Sequence, residues 1–386
     1  MMSPIEAILN QIDSARINSL LIEAVNHYSP SYAEGPVIAV FVEALERAGV
    51  PYRKQRVPAS PGDGQRANLL IEIGPMPPEL MLVGHVDTIP FWGDDEDDHA
   101  SMLEGDVLWG LGTADMKSGC VAMVEAVSAA VQAGVTFERG LCLALVVGEE
   151  DYGDGSEALL EHMTAPLTII GEPTGLIPCT EHYAYLESRL MSTGTRAHAA
   201  LPDIGANAIH AMLSWILQIL EQATELPFAD QIAFNPREIT GGGSLFVIAE
   251  RCEALLDMHL GPAVDHKLVI ELIETARLKA LESHQACTLD HEELYFAPGY
   301  SVSSENPRLA PVIRAFESLE MGWNPVAFRS HSDGNLFYQK GVIPIVCGPG
   351  QLEVAHTRHE HVHLSEVERA ARLYASIIYE TCVAKA

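Results

Sequence analysis

The chain has 386 residues, 48% of them hydrophobic, so it carries enough apolar material for packed cores and does not read as disordered. Its 53 acidic residues against 23 basic ones give a formal charge of −30, which argues against nucleic-acid binding, because phosphate contacts need a basic surface. No apolar run approaches the ~20 residues of a membrane helix, so no membrane partner is expected.

In chain order, Met1 to Val25 reads as one amphipathic helix without a basic n-region, so no secretory signal is expected. Helical periodicity follows at Gly35–Ala48 and Lys117–Ala133. Strand patterns stand at Asn68–Ile73, Glu79–Val83, Gly140–Val147 and Leu167–Ile170. This alternation predicts an α/β domain with a mixed, largely parallel sheet flanked by helices. The texture then changes. Tyr185–Thr193 alternates like a half-buried strand, and Asn207–Ala223 is helical. Leu245–Ile248 and Cys252–His259 read as strands, and His266–Glu282 as a helix. That order predicts a small α+β sandwich, residues 181–293, inserted into a first domain made of residues 1–180 and 294–386. Helix Pro311–Leu319, strand Ile343–Cys347 and helix Ser365–Val383 complete the first domain. The cysteines, at 120, 142, 179, 252, 287, 347 and 382, stand singly and are odd in number. They argue for reduced thiols and a cytoplasmic chain. The run Asp94-Asp95-Glu96-Asp97-Asp98 reads as a solvated loop.

The informative feature is the type of residue placed just beyond each apolar strand. Met81-Leu82-Val83-Gly84 runs into His85-Val86-Asp87. Leu141 to Gly148 runs into Glu149-Glu150. A turn, Gly110-Leu111-Gly112-Thr113, leads to Asp115. Thr168-Ile169-Ile170-Gly171 leads to Glu172, and Ile343 to Gly350 leads to His356. Imidazole and carboxylate are ligands that zinc accepts, and α/β sites form beyond the carboxyl ends of strands. If His85 and Asp87 are both on an extended segment, their side chains point the same way, and the carboxylate can orient the imidazole. Of Glu149 and Glu150, one can bind metal while the other acts as general base. Asp115 can bridge two ions, and two ions together can activate a water and polarise a carbonyl.

The segments Gly84 to Pro90, Gly110 to Lys117, Glu149-Glu150, Gly171-Glu172-Pro173-Thr174, and Cys347 to Gly350 with His356 resemble the M20 metallopeptidase family. That family includes acetylornithine deacetylase, succinyl-diaminopimelate desuccinylase, aminoacylase-1 and glutamate carboxypeptidase. The likeness spans nearly the whole chain, with the motifs in family order. It implies two divalent metal ions, zinc first, with cobalt or manganese as alternatives. His85, Asp115 and Glu172 would hold one ion, and His356, Asp115 and Glu150 the other. Glu149 would be the general base and Asp87 the partner of His85. The insert would be a dimerisation or lid domain in a homodimer. Its stretch Gly194 to Ile209 resembles the family's histidine signature, in which His198 reaches the partner's active site and stabilises an oxyanion.

The resemblance implies an amidohydrolase that cleaves the amide of an N-acyl-amino acid, acetylornithine deacetylase-like. A glutamate-carboxypeptidase-like enzyme or dipeptidase is the alternative, and a catalytically silent metal-binding relative a further one. Departures bear on the substrate. Phe246 and Ala249 stand where relatives carry Asn and Pro, and His259 where many carry Arg. An Arg binds a carboxylate bidentately and His259 cannot, so Arg329 is the candidate for that role. Asn207, within the histidine signature, joins His259 and Arg329 as a candidate substrate contact.

Overall fold

The computed structural model describes residues 2–58, 66–91 and 100–384; the acidic run Asp94–Asp98 lies outside them. The chain divides into two compact units. One comprises Met1–Glu181, Val302–Phe328 and Ser332–Ala386, the other His182–Ser301 and Arg329–His331. The second unit runs past residue 293 because strand Thr288–Ala297 pairs with Ala184–Thr193 as far as Ala297.

The first unit is built on a twisted sheet in the order Arg53–Arg56, Ala67–Ile73, Gly140–Val146, Pro78–His85, Leu167–Pro173, Ile343–Gly348, Cys179–His182. Its centre is parallel: Pro78–His85 pairs in parallel with Gly140–Val146 and Leu167–Pro173, and Ile343–Gly348 with Leu167–Pro173. Strands covered on both faces read as continuous apolar runs, and Gly140–Val146 is buried at every position. The register aligns His85 with Val146 and Val83 with Ile170. The ligand-type residues that follow these strands therefore leave the sheet at one edge. Helix Ser118–Gln132 is buried from Ser118 to Ala130 and packs on Leu364–Cys382. An apolar helix surface on all sides belongs in a core. A Cβ on Gly119 would collide with the Gly171 carbonyl, so only glycine lets this helix start so close to the strand that carries Glu172.

The second unit is an antiparallel sheet, Ile232–Gly241, Arg251–Leu260, Ala184–Thr193, Thr288–Ala297, with helices Ala208–Ala223 and His266–Ser283. Leu186, Leu190, Leu256 and Met258 form its core with Trp215 and Ile273. The Trp215 indole N–H donates to the Ile273 carbonyl at 3.0 Å, so the largest core side chain buries no idle donor.

Three expectations change. The single N-terminal helix expected is two, Pro4–Leu9 and Ser14–Asn26, because Asp13 caps the second by accepting from the Ala15 and Arg16 amides. Leu245–Ile248 is not a strand. It follows Gly242 at φ 106° and contains Phe246 at φ 62°, left-handed backbone that interrupts a ladder. The neighbour of Arg251–Leu260 is instead Ile232–Gly241, whose Pro236 sits at a bulge on the sheet edge, where proline is tolerated. A helix outside the expected set, Asp333–Gln339, is opened by a capping box of Ser332 and Asn335. All seven cysteines are buried and none forms a disulfide. No helix among the described residues is long and apolar enough to cross a membrane.

Candidate metal centre

His85 is the last residue of strand Pro78–His85, and its side chain is 1% exposed. Its Nε2 lies 3.2 Å from Asp115 Oδ1, 3.7 Å from Glu172 Oε1 and 3.8 Å from Glu149 Oε2. The other oxygen of Asp115, Oδ2, lies 3.4 Å from His356 Nε2, which is 3.1 Å from Glu150 Oε1. Asp115 thus offers one oxygen to each imidazole. Two sets result, His85 with Asp115 and Glu172, and His356 with Asp115 and Glu150. Within each set the ligand atoms all lie within 4.8 Å of one another.

This donor set fits divalent cations. Two ligands each ~2.0–2.2 Å from one tetrahedral ion stand about 3.4 Å apart, and the histidine–carboxylate separations in the two sets run from 3.1 to 3.7 Å. The electrostatics agree. Burial pushes the pKa of Glu172 up to about 8, aided by Asp115, and raises those of Glu149 and Glu150. Burial opposes protonation of His85 and His356, yet the carboxylates outweigh it, lifting His356 to about 10 and His85 well above its usual range. Against the same penalty, the bond to His85 and the charges of both histidines hold Asp115 down at about 2. Buried carboxylates in such numbers require positive charge beside them.

The local backbone explains the placement. Gly112, at φ 80°, leaves no room for a Cβ beside Thr88 and Lys117, and the turn Thr113–Lys117 that follows it sets Asp115 in extended backbone, φ −117° and ψ 97°. The helix expected from Lys117 begins at Ser118, after this turn. Glu360 holds the turn: its Oε1 accepts from the Ala114 and Asp115 amides, both at 3.0 Å. The Lys117 ammonium, buried, donates to the carbonyls of Ala24 and His27, each at 3.0 Å. His356 sits at φ 58°, a left-handed conformation that a non-glycine residue adopts at some cost.

Asp87 works differently from the expectation. The strand ends at His85, two residues before Asp87. The His85 Nδ1 hydrogen bond, 3.0 Å, goes to the Asp87 main-chain carbonyl, while the carboxylate stands 3.7 Å away. That carboxylate instead accepts from the amides of Glu149 (3.2 Å) and Glu150 (3.1 Å) and from the Ser31 hydroxyl (2.7 Å). It fixes the loop that presents both glutamates. From the other side Arg66 braces the same loop, paired with Glu34 at 2.8 Å and Asp154 at 2.5 Å, and a Cβ on Gly148 would strike both Arg66 and Asp154.

Sequence reading missed Ser31, Arg66 and Glu360. Only Glu360 left a trace, its position four residues beyond His356. The four remaining candidates belong to the second unit. His198 is exposed, its Nδ1 accepting from the Ala200 amide at 3.2 Å and its ring parallel to Phe246, centroids 6.3 Å apart. Asn207 caps helix Ala208–Ala223, accepting from Ile209 at 3.0 Å and His210 at 3.3 Å, so its oxygen already serves the helix. His259 pairs with Tyr185 across the sheet, and burial lowers its pKa. Arg329 is exposed, its guanidinium 6.0 Å from the centre of the Tyr183 ring.

The geometry is that of a hydrolase centre for two metal ions. Residues 81–185 match the family model for peptidase family M20/M25/M40, and residues 180–285 the peptidase dimerisation domain. Acetylornithine deacetylase of Edwardsiella ictaluri is 30% identical over 338 residues, which cover 83% of this chain and 85% of that protein. Among solved structures, the di-peptidase Dug1p of Saccharomyces cerevisiae superposes with TM-score 0.78 at 13% identity, covering 99% of both chains. A dinuclear metal binding peptidase of the M20 family from Bacillus subtilis superposes with TM-score 0.68 at 12% identity, covering 94% of this chain and 97% of that one. The chain belongs to the M20 peptidase family, a family of metal-dependent hydrolases acting on amide bonds.

Proposed function

We propose that this protein is a two-metal amidohydrolase that removes the acyl group from an N-acyl-amino acid, with zinc in both positions. The observation that carries the reading is Asp115, shared between two histidine–carboxylate sets with Glu149 beside them. His85, Asp115 and Glu172 would hold one ion, and His356, Asp115 and Glu150 the other. Ions there would polarise the scissile carbonyl and lower the pKa of the attacking water.

The chain's own groups do the rest. The Glu149 side chain is 9% exposed and its pKa is raised by burial, so its Oε atoms are suited to accept a proton from that water and return it to the leaving amine. Asp87 keeps the Glu149 and Glu150 amides in place while this occurs. His198 from a second subunit donates to the developing oxyanion, which makes the enzyme a homodimer, supported by the match to the dimerisation model. A cytoplasmic setting agrees with seven unbridged cysteines. Acetyl-amino acids are favoured by the likeness to acetylornithine deacetylase. His259, in place of a fork-shaped arginine, points away from a substrate selected by a second carboxylate at that position. A release assay over N-acetyl-, N-succinyl- and N-formyl-amino acids and dipeptides, with metal supplied, tests the reading. The expected result is a kcat/KM on an N-acetyl-amino acid at least tenfold above that on any dipeptide. A preference for dipeptides would move the enzyme to the exopeptidase branch, and no turnover on any of them would refute the reading.

A further inference from the structure

Outside the catalytic cluster, the segment after His356 carries two more imidazoles on a short strand, His361–His363. This strand forms one edge of a small sheet with Val107–Trp109 and Met102–Glu104. Residues two apart on a strand share a face. Val362 and its partner Leu108 are buried, so His361 and His363 are on the opposite, outer face. His363 is exposed and His361 half-buried against the Trp109 ring, centroids 4.4 Å apart.

Each ring is oriented from behind. His361 Nδ1 lies 2.7 Å from the His359 carbonyl, which can only accept, so Nδ1 carries the proton and Nε2 keeps its lone pair. His363 Nδ1 lies 3.5 Å from Asp106 Oδ2. Asp106 is itself anchored by the Ser365 amide at 3.0 Å and hydroxyl at 2.6 Å. A carbonyl or carboxylate on one ring nitrogen is the usual support behind a metal-ligating histidine. The two ring centroids are 6.2 Å apart. An imidazole bound through nitrogen at ~2.0–2.1 Å places its centroid about 3.2 Å from the ion, so at a tetrahedral angle two such rings stand about 5.2 Å apart, and the exposed His363 ring closes the remaining ~1 Å by turning about its side-chain bonds.

We propose that His361 and His363 form a surface chelate for one first-row divalent transition ion, separate from the catalytic pair. Imidazole donors suit zinc, nickel and copper, and water fills the remaining positions. The site lies five and seven residues beyond His356 on the same segment. An ion held there uses neither His356 nor Glu360 of the same segment.

Trp109 supplies the readout, because a bound copper ion quenches a neighbouring indole. Protein already loaded with zinc at the catalytic centre is titrated with Cu²⁺ while fluorescence and bound copper are followed. One saturable equivalent with quenching is expected. Trp109→Phe should abolish that quench and keep the copper. His361→Ala/His363→Ala should lose the equivalent, and Asp106→Asn should weaken it by about 10-fold or more. Hydrolase activity of the double variant should stay within twofold of wild type. The proposal fails if the double variant binds and quenches as wild type does, or if no saturable equivalent exists. It fails equally if His356→Ala removes the quench while the double variant keeps it, since the ion would then sit in the catalytic cluster.

Discussion

Burial acts on the two units with opposite consequences. In the first unit the deeply placed titratable groups are mostly acids, and burial pushes Glu172 up to about 8 and Asp333 and Glu360 up to about 7. In the second, burial brings His182 down to about 4 and His331 to about 3, and the buried Glu187 is paired with Arg237. An acid charges on losing its proton and a base on gaining one, so the same desolvation favours neutrality in both. The difference lies in what relieves it. The first unit gathers carboxylates around two imidazoles and is relieved by added cations. The second has a neutral set of rings that needs no counter-charge. Among the described residues, both histidine–carboxylate groups that could hold a metal lie in the first unit.

Four experiments bear on that contrast, from the largest effect to the smallest. Exhaustive chelation is expected to bring hydrolysis to background and lower the thermal midpoint, with both recovered on adding a divalent ion. Full activity in verified metal-free protein would erase the distinction between the units. Next, Glu149→Ala should keep its metal content and fold but lose about 10²–10⁴ in kcat. Metal analysis and steady-state rates on the best substrate decide it, and near-normal kcat would mean the base is another group.

The third experiment asks whether the second unit contributes chemistry. His198→Ala should lower kcat by about 10²–10³. Mixing Glu149→Ala with His198→Ala subunits should then restore up to about half of wild-type activity per mixed dimer, because one of its two sites has both groups intact. Subunit exchange is checked by tag pull-down. Complete exchange without recovered activity would remove His198 from the shared site.

The smallest effect is a pair of opposed pH slopes in the metal-free protein. Glu172, Asp333 and Glu360 keep protons in the folded first unit up to about 8, 7 and 7, but release them near 4 when unfolded. The folded form binds more protons across about pH 5 to 7, so the first unit loses stability as pH rises through that window. His182 and His331 do the reverse. Their ordinary value is 6.5, and the folded unit takes up their protons only near 4 and 3. The unfolded chain therefore binds more protons below 6.5, and the second unit loses stability as pH falls from there toward 4. Hydrogen exchange resolved by peptide measures each unit by itself. Parallel slopes in the two units would break the comparison.

The catalytic side was the more legible of the two units. His85, Glu172 and the Glu149-Glu150 pair each follow an apolar strand that is parallel and central, so strand reading alone brought them to one sheet edge. The supports were not legible. Arg66 reaches Glu34 and Asp154 across large gaps in the chain, and Glu360 reaches back to Ala114 and Asp115, contacts for which no local periodicity exists. Asp87 was read as the partner of His85; its main-chain carbonyl takes the 3.0 Å hydrogen bond and its carboxylate stands at 3.7 Å, a choice between two oxygens that residue spacing does not encode. In the second unit, Ile232–Gly241 went unread since Asn235, Pro236, Arg237 and Glu238 suppress the strand pattern at an exposed edge. Leu245–Ile248 looked like a strand by composition, while left-handed backbone at Gly242 and Phe246 turns it into a loop.

The seven buried thiols make the molecule its own clock. A thiol reacts as thiolate, and burial pushes Cys120, Cys142, Cys179 and Cys382 up to about 12. Alkylation at neutral pH must therefore wait for opening of the surrounding structure. Cys120, whose Sγ donates to the His85 carbonyl at 3.0 Å, times the metal-bearing region, and Cys252 and Cys287 time the other unit. With a mass readout of each modified cysteine, the native chain reports the opening rates of its two halves in one experiment, with no label engineered into it.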